Sequence, residues 1–325
     1  MTKNKLPKII TIVGPTASGK SDLAVKIARE FNGEIVSADS RQIYRGMDIG
    51  TAKPPSDGGF AANPKSQTPK SKKNRNYFSG GIRHYLIDNK NPDQDYSAGQ
   101  YKKDALGAIN KIIKSGKLPI LVGGTGLYVD AVVKNLEFPR VKENKKLRAR
   151  LEDEINSKGL GFVFKELVRL DPEAAYIIDP KNPRRVIRAL EVALTLGKPF
   201  SAQRKTGESL YNTLEIGIAV PRRELKEKIA KRTKQMVKDG LVGEVEVLAK
   251  RYGPNCKAFD AIGYREIIDY LRGEISLAEA MEQINKNTWH YARRQIAWFR
   301  KNHEVCWIRN PREVSSLVRN FVICS

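Results

Sequence analysis

The string Gly14-Pro15-Thr16-Ala17-Ser18-Gly19-Lys20-Ser21 matches G-x-x-x-x-G-K-[ST]. In that pattern, successive backbone N–H groups and the start of a helix cradle the oxygens of a di- or triphosphate. Lys20 adds a point charge, and the Ser21 hydroxyl is placed to ligate Mg²⁺. The pattern specifies phosphate, without choosing a nucleotide or a phosphoryl transfer. A carboxylate, Asp39, stands in Ala38-Asp39-Ser40-Arg41-Gln42, and a hydroxyl, Thr125, stands in Gly123-Gly124-Thr125-Gly126. Asp39 suits a general base or a metal ligand; it equally suits a helix cap or a turn. Thr125 suits a donor to phosphate oxygens, or a plain strand-to-helix turn. Arg265, after the glycine turn in Ala261-Ile262-Gly263-Tyr264, has the reach to pair with a diphosphate.

These segments need a scaffold that brings them together. Ile9–Val13 reads as a buried strand leading into the glycine string, and Ser21–Phe31 has helical spacing. Further short strands are expected at Glu34–Ser37, His84–Ile87 and Leu118–Val122, with a helix over Gln100–Lys114. Strands alternating with helices predict a doubly wound, parallel α/β sheet of the P-loop NTPase-like kind. Ligands of such sheets bind outside the carboxyl ends of the strands. The glycine string, the Asp39 segment and the Thr125 turn each follow a strand, so all three should meet at one edge.

Two stretches depart from this rhythm. Residues 54–81 have four prolines and five Lys or Arg against one acid, and are expected to form a basic, flexible surface insertion. Residues 141–212 are charged and helical, and are expected to form an inserted helical domain. The core would then comprise 1–140 and 213–325, with later strands at Thr213–Val220 and Val305–Arg309. Within the insertion, Asn182-Pro183 marks a helix start. Arg184, Arg185 and Arg188 then fall within one turn, with Glu191 in reach. Near the C-terminus, Lys286, Arg293 and Arg300 line one helical face. Met281, Ile284, Ala292, Ile296 and Phe299 line another. Trp289, Tyr291 and Trp298 intersperse aromatics, a mixture suited to phosphate contact and base stacking as well as to packing.

The composition agrees with a polyanionic partner. The 325 residues include 59 Lys or Arg and 36 Asp or Glu, a net charge of +23. Such an excess favours nucleic acid first and an anionic membrane surface second. No apolar run approaches a membrane span. Cys256, Cys306 and Cys324 are far apart, which argues against a disulfide framework or a zinc finger and for a cytoplasmic setting. A P-loop small-molecule kinase would explain the glycine string but not the charge. A non-catalytic RNA-binding protein would explain the charge but not a base beside a phosphate site.

Together the segments resemble the tRNA dimethylallyltransferase (tRNA isopentenyltransferase) family in its bacterial form. The resemblance rests on GPTASGKSDLA from Gly14, ADSRQIYRGMDIGTAKP from Ala38, HYLID from His84, YSAGQYKKDA from Tyr96 and LVGGTGLYVDA from Leu121. It continues through RRVIRALEV from Arg184, AIGYRE from Ala261 and NTWHYARRQIAWFRK from Asn287, and spans about residues 9 to 310. The resemblance implies transfer of a dimethylallyl group from dimethylallyl diphosphate to the N6 amine of the adenine just 3′ of the anticodon. It makes Asp39 the general base. Thr125, Arg265 and the Gly14–Ser21 loop would hold the diphosphate, with Mg²⁺ as cofactor. The anticodon stem-loop would contact Asp39, Ser40, Arg41, Gln42, Arg184, Arg185, Val186, Ile187 and Arg188. Arg293, on the basic helix face, joins them. The expected state is a monomer with no membrane partner. Tyr85 departs from the family, which usually has a second histidine there.

Overall fold

A computed structural model of the protein describes residues 6–58, 76–139, 141, 143–203 and 206–323. The chain divides into two compact units, 1–133 with 210–325 and the intervening 134–209.

The larger unit is built on one sheet of seven strands. These are β1 (Lys8–Val13), β2 (Gly33–Ser37), β3 (Tyr77–Ser79), β4 (Ile82–Tyr85), β5 (Leu118–Gly123), β6 (Asn212–Ile218) and β7 (Cys306–Ile308). Their spatial order is β3-β4-β2-β5-β1-β6-β7, parallel throughout except for the β3–β4 pair. β1 lies near the middle and its apolar residues are fully buried on both faces, as expected for a parallel sheet covered on each side. Ile10 and Ile12 pack with α1 (Lys20–Glu30) and with Val314 and Val318 of a C-terminal helix. Ile9 and Val13 point the other way, toward α2 (Ala98–Lys114) and α3 (Gly126–Val133). A capping box of Ser97 and Gln100 starts α2, the reciprocal arrangement that satisfies two orphan donors.

The end of the 54–81 stretch differs from the irregular loop expected there. Gly80 and Gly81 take φ of 59° and 75°, the conformation of a two-residue hairpin turn that glycine accepts without penalty. Asp57 accepts both of their N–H groups at 2.6 and 2.7 Å. The hairpin adds β3 to the sheet edge. The basic part of that stretch, 59–75, lies outside the described residues. The strand expected at His84–Ile87 stops at Tyr85, because Leu86 and Asp88 turn to φ of 63° and 54°.

The larger unit also contains α8 (Arg222–Lys238), α9 (Leu241–Tyr252), α10 (Tyr264–Leu271) and α11 (Leu277–Phe299). A second apolar cluster joins α9, α10 and the start of α11 to Ile43, Tyr44 and Met47.

The smaller unit consists of α4 (Lys145–Lys158), α5 (Leu160–Leu170), α6 (Ala174–Ile177) and α7 (Pro183–Leu196) around their own core. Its limits lie a few residues before those suggested by the charge pattern. An antiparallel bridge between Leu136 and Thr206 belongs to this unit rather than to the sheet. Asn182 caps α7 by accepting the Arg185 N–H, with Pro183 in the first turn. Glu191 is fully buried, and its carboxylate is matched by Arg148, Arg188 and the Asn144 N–H. Leaving so deep a carboxylate unpaired would be strongly destabilising.

Candidate active site

The glycine string closes between β1 and α1. Gly14, Ala17 and Gly19 adopt φ of 149°, 63° and 83°, positive values that curl the loop tightly between strand and helix. Lys20 opens α1, and its Nζ donates to its own loop at Pro15 O, 2.6 Å away. The Ser18 hydroxyl is buried and makes no hydrogen bond among the described residues.

Two helices buttress this loop. Gln295 of α11 accepts the Thr16 N–H at 2.8 Å and donates to Gly124 O at 2.9 Å. One amide thus ties the phosphate loop to the Thr125 turn. A Cβ on Gly124 would lie 1.9 Å from Gln295 Nε2, so a larger residue there would displace that amide from the loop. Arg232 of α8 donates to Thr16 Oγ1 at 2.8 Å. Three residues on two turns of α11 face the same region. Gln295 holds the loop, Trp298 donates to Asp130 at 3.1 Å, and the buried Tyr291 phenol lies close enough to Asp39 to feel its charge.

Asp39 follows β2 and comes to the same place. Its Oδ1 accepts the N–H groups of Arg41 at 2.8 Å and Gln42 at 3.3 Å, an aspartate turn of the familiar kind. Among the described residues its Oδ2 accepts no hydrogen bond. Thr125 locks the position of this turn, accepting the Ser40 N–H at 3.0 Å while its own N–H donates to Ala38 O at 3.2 Å. A Cβ on Gly123 would fall 2.1 Å from Ala38 O. Only glycine permits the Thr125 turn to lie so close to the Asp39 strand.

The charges interact. Burial lowers the Lys20 ammonium to a pKa of about 7; Asp39 opposes that shift and Arg232 adds to it. Burial likewise lowers Arg232, again opposed by Asp39. The Tyr291 phenol is pushed up to about 12, chiefly by burial and then by Asp39, and so remains a neutral donor. Two desolvated cations beside this loop favour an incoming polyanion, which would restore the Lys20 proton. If the protonated form captures the anion, kcat/KM for a diphosphate donor should fall about tenfold per pH unit above about 7. A Lys20→Ala profile lacking that high-pH limb would assign it to this lysine; an unchanged limb would assign it elsewhere.

The structure therefore brings together Gly14–Ser21, Asp39, Ser40 and Thr125. Arg41 and Gln42 turn outward from this cluster to hold their own loop. Arg41 Nη1 donates to Ala258 O at 3.2 Å, and Gln42 Nε2 donates to Thr51 O and Ala52 O. Arg265 is exposed and paired with Asp260 at 3.0 Å. The arginine beside Lys20 is Arg232. Arg293 is exposed on α11. Arg184 and Arg185 are exposed on α7, whereas Val186 and Ile187 are buried in the core of the helical unit. Their side chains fix the helix, while the preceding Arg184 and Arg185 face solvent. Arg188 is occupied by Glu191 and Val141 O. Tyr85 donates to Glu34 at 2.8 Å, which makes it a sheet-edge contact.

Sequence reasoning missed Arg232 and Gln295. Nothing local distinguishes Arg232 from the other basic residues of α8. Gln295 did leave a signal: an amide in the buried stripe of α11, between Ala292 and Phe299, must find buried partners.

Comparison with known proteins follows the same outline. The family profile described as IPP transferase matches residues 67–302, and that described as isopentenyl transferase matches residues 7–58. The tRNA dimethylallyltransferase of Thermoanaerobacter sp. is 44% identical over 323 residues, covering 97% of this chain and 96% of its own. That of Acetivibrio thermocellus is 42% identical over 307 residues, covering 93% and 92%. Among solved structures, the tRNA isopentenylpyrophosphate transferase of Bacillus halodurans is 37% identical with a TM-score of 0.67, covering 97% of this chain and 95% of its own. A eukaryotic dimethylallyltransferase acting on tRNA shares the fold, with a TM-score of 0.75 at 23% identity over 97% of this chain and 79% of its own. With its glycine-rich loop, its facing carboxylate and this near full-length likeness, the chain belongs to the IPP transferase family, the tRNA dimethylallyltransferases.

Proposed function

We propose that this protein transfers a dimethylallyl group from dimethylallyl diphosphate to the N6 amine of the adenine immediately 3′ of the anticodon. The observation that carries this reading is the placement of a carboxylate, Asp39, beside two desolvated cations, Lys20 at the end of the glycine loop and Arg232 of α8, which donates to that loop at Thr16. A nucleophile that must lose a proton and a leaving group that departs as a polyanion need that pairing.

The α/β core works as a P-loop fold whose loop holds a leaving group. The loop N–H groups, Lys20 and Arg232 bind the diphosphate and stabilise the charge that grows on it as the C1–O bond breaks. N6 attacks C1, and the N6 proton passes to the free Oδ2 of Asp39. Thr125 holds the Asp39 turn and, with Tyr291, offers hydroxyls beside it. The exposed Arg265, ion-paired as it stands, is assigned to the diphosphate by family resemblance. The target adenine must leave its stack to reach C1. Exposed arginines, Arg184 and Arg185 on α7 and Arg293 on α11, supply sequence-independent grip on RNA phosphates.

Mg²⁺ fits this arrangement. Among the described residues no cluster of three or more His, Cys, Asp or Glu side chains forms a metal site. The Ser21 hydroxyl at the start of α1 makes no hydrogen bond among the described residues, and is available to an ion held mainly by substrate oxygens and water. When bound, Mg²⁺ would neutralise part of the diphosphate charge. Among the described residues no helix is long and apolar enough to cross a membrane. The reaction is proposed to take place in the cytoplasm, a compartment that supplies a tRNA substrate, and the enzyme is proposed to act as a monomer.

The direct test is incubation with dimethylallyl diphosphate, Mg²⁺ and bulk tRNA, followed by mass analysis of the nucleosides. The expected product is N6-(dimethylallyl)adenosine. Unmodified tRNA, or transfer of phosphate from ATP to a small hydroxyl compound, would refute the assignment.

A further inference from the structure

The segment from Asp39 to Lys53 has almost no regular structure, yet side chains from elsewhere in the fold tie down its backbone. Glu244, in the first turn of α9, supplies one anchor. Its Oε2 accepts the N–H groups of Asp48 at 3.0 Å and Ile49 at 2.7 Å. Its Oε1 accepts the Gly50 N–H at 3.1 Å and the Tyr264 hydroxyl at 2.5 Å. Three successive backbone N–H groups converging on an anion form a nest, filled here by the protein's own carboxylate. Gly50 lies flat against Tyr264, where a Cβ would come within 2.5 Å of the ring. Lys53 supplies a second anchor. Its side chain is fully buried, and its ammonium donates to Tyr44 O at 2.6 Å, to Asp48 at 2.7 Å and to Asp88.

These anchors sit on a different part of the fold from the diphosphate cradle. The cradle is braced by Gln295 and Arg232, and the Asp39 turn is fixed to Thr125 through Ser40. Among the described residues, the side-chain hydrogen bonds of Glu244 and Tyr264 reach neither. They brace the far end of the loop, and the Ala258 turn ahead of α10 meets Arg41.

We infer that Glu244, supported by Tyr264, is a positioning residue for tRNA: by gathering the N–H groups of 48–50 it sets the shape of the loop that carries Ser40, Arg41 and Gln42, the residues assigned to RNA contact. The inference rests on the reading that this loop contacts tRNA. A carboxylate is required because all four partners are donors. A glutamine would turn its NH₂ toward at least one of them and leave a donor unmatched. Losing a hydrogen bond to a charged group in such a setting weakens the held geometry considerably. The donor site, braced separately, should not register the change.

The experiment compares Glu244→Gln, Tyr264→Phe and Arg41→Ala, with direct tRNA binding measured without donor and donor KM measured at saturating tRNA. Glu244→Gln should weaken tRNA binding by about tenfold or more and Tyr264→Phe by about threefold, with donor KM within about twofold of wild type. Unchanged tRNA affinity in both variants would overturn the inference. So would parallel loss of tRNA affinity and donor KM, which marks general damage. If Glu244→Gln does not fold, Tyr264→Phe decides by the same split. Arg41→Ala separates the two levels. If it leaves tRNA binding intact, the loop does not read RNA and the premise fails. If it weakens binding while the Glu244 and Tyr264 variants do not, the positioning role alone fails.

Discussion

Asp39→Asn is expected to slow single-turnover prenyl transfer by about 10²–10⁴, the usual worth of general-base catalysis, while tRNA affinity changes little. The substitution is well matched to the geometry. Oδ1 serves the backbone turn through Arg41 and Gln42, and an asparagine oxygen can accept both bonds. Oδ2 is the atom available to the N6 proton, and asparagine puts an amide there that cannot take it. If Asp39 served the turn alone, the asparagine variant would keep near-normal rates. If it chiefly positioned RNA, rate and tRNA affinity would fall together. Most affinity for RNA should come from Lys and Arg contacts to phosphates, which the substitution leaves intact.

Lys20→Ala is expected to raise the donor KM and lower kcat, the latter by about 10²–10³, as for loss of one preorganised group stabilising developing charge. In the free enzyme the ammonium rests on Pro15 O, a bond it can exchange for phosphate oxygens. Its charge counts most as the diphosphate departs, so kcat should suffer along with KM. Arg232 remains in the variant beside Thr16 and sets the residual activity. Kinetics indistinguishable from wild type with the diphosphate donor would remove the phosphate loop from the mechanism.

The order of the main elements was legible because its signals are local. β1, the glycine string and α1 are adjacent in the chain, and their pattern requires each in turn. The same holds for Asn182 capping α7 and for the polar and apolar faces of α11. Where two signals competed, the reading was less complete. In the 54–81 stretch, prolines and lysines outweighed the Gly80-Gly81 turn, and the hairpin that extends the sheet went unread. In α7 the arginines drew attention to the whole run from 184 to 188, although the helical period itself turns Val186 and Ile187 inward.

The sequence alone determined the kind of chemistry: a phosphate cradle, a carboxylate and a large positive charge, with strands placed so that the first two share an edge. Tertiary structure decided which distant residues complete the site. Arg232 and Gln295 lie more than 200 positions from the loop they hold, and their side chains acquire meaning only once α8 and α11 pack against it. The lowered pKa of Lys20 likewise follows from burial that no local pattern encodes. The physical reason is common to these cases. Backbone conformation answers to near neighbours in sequence, whereas desolvation and hydrogen-bond pairing answer to neighbours in space.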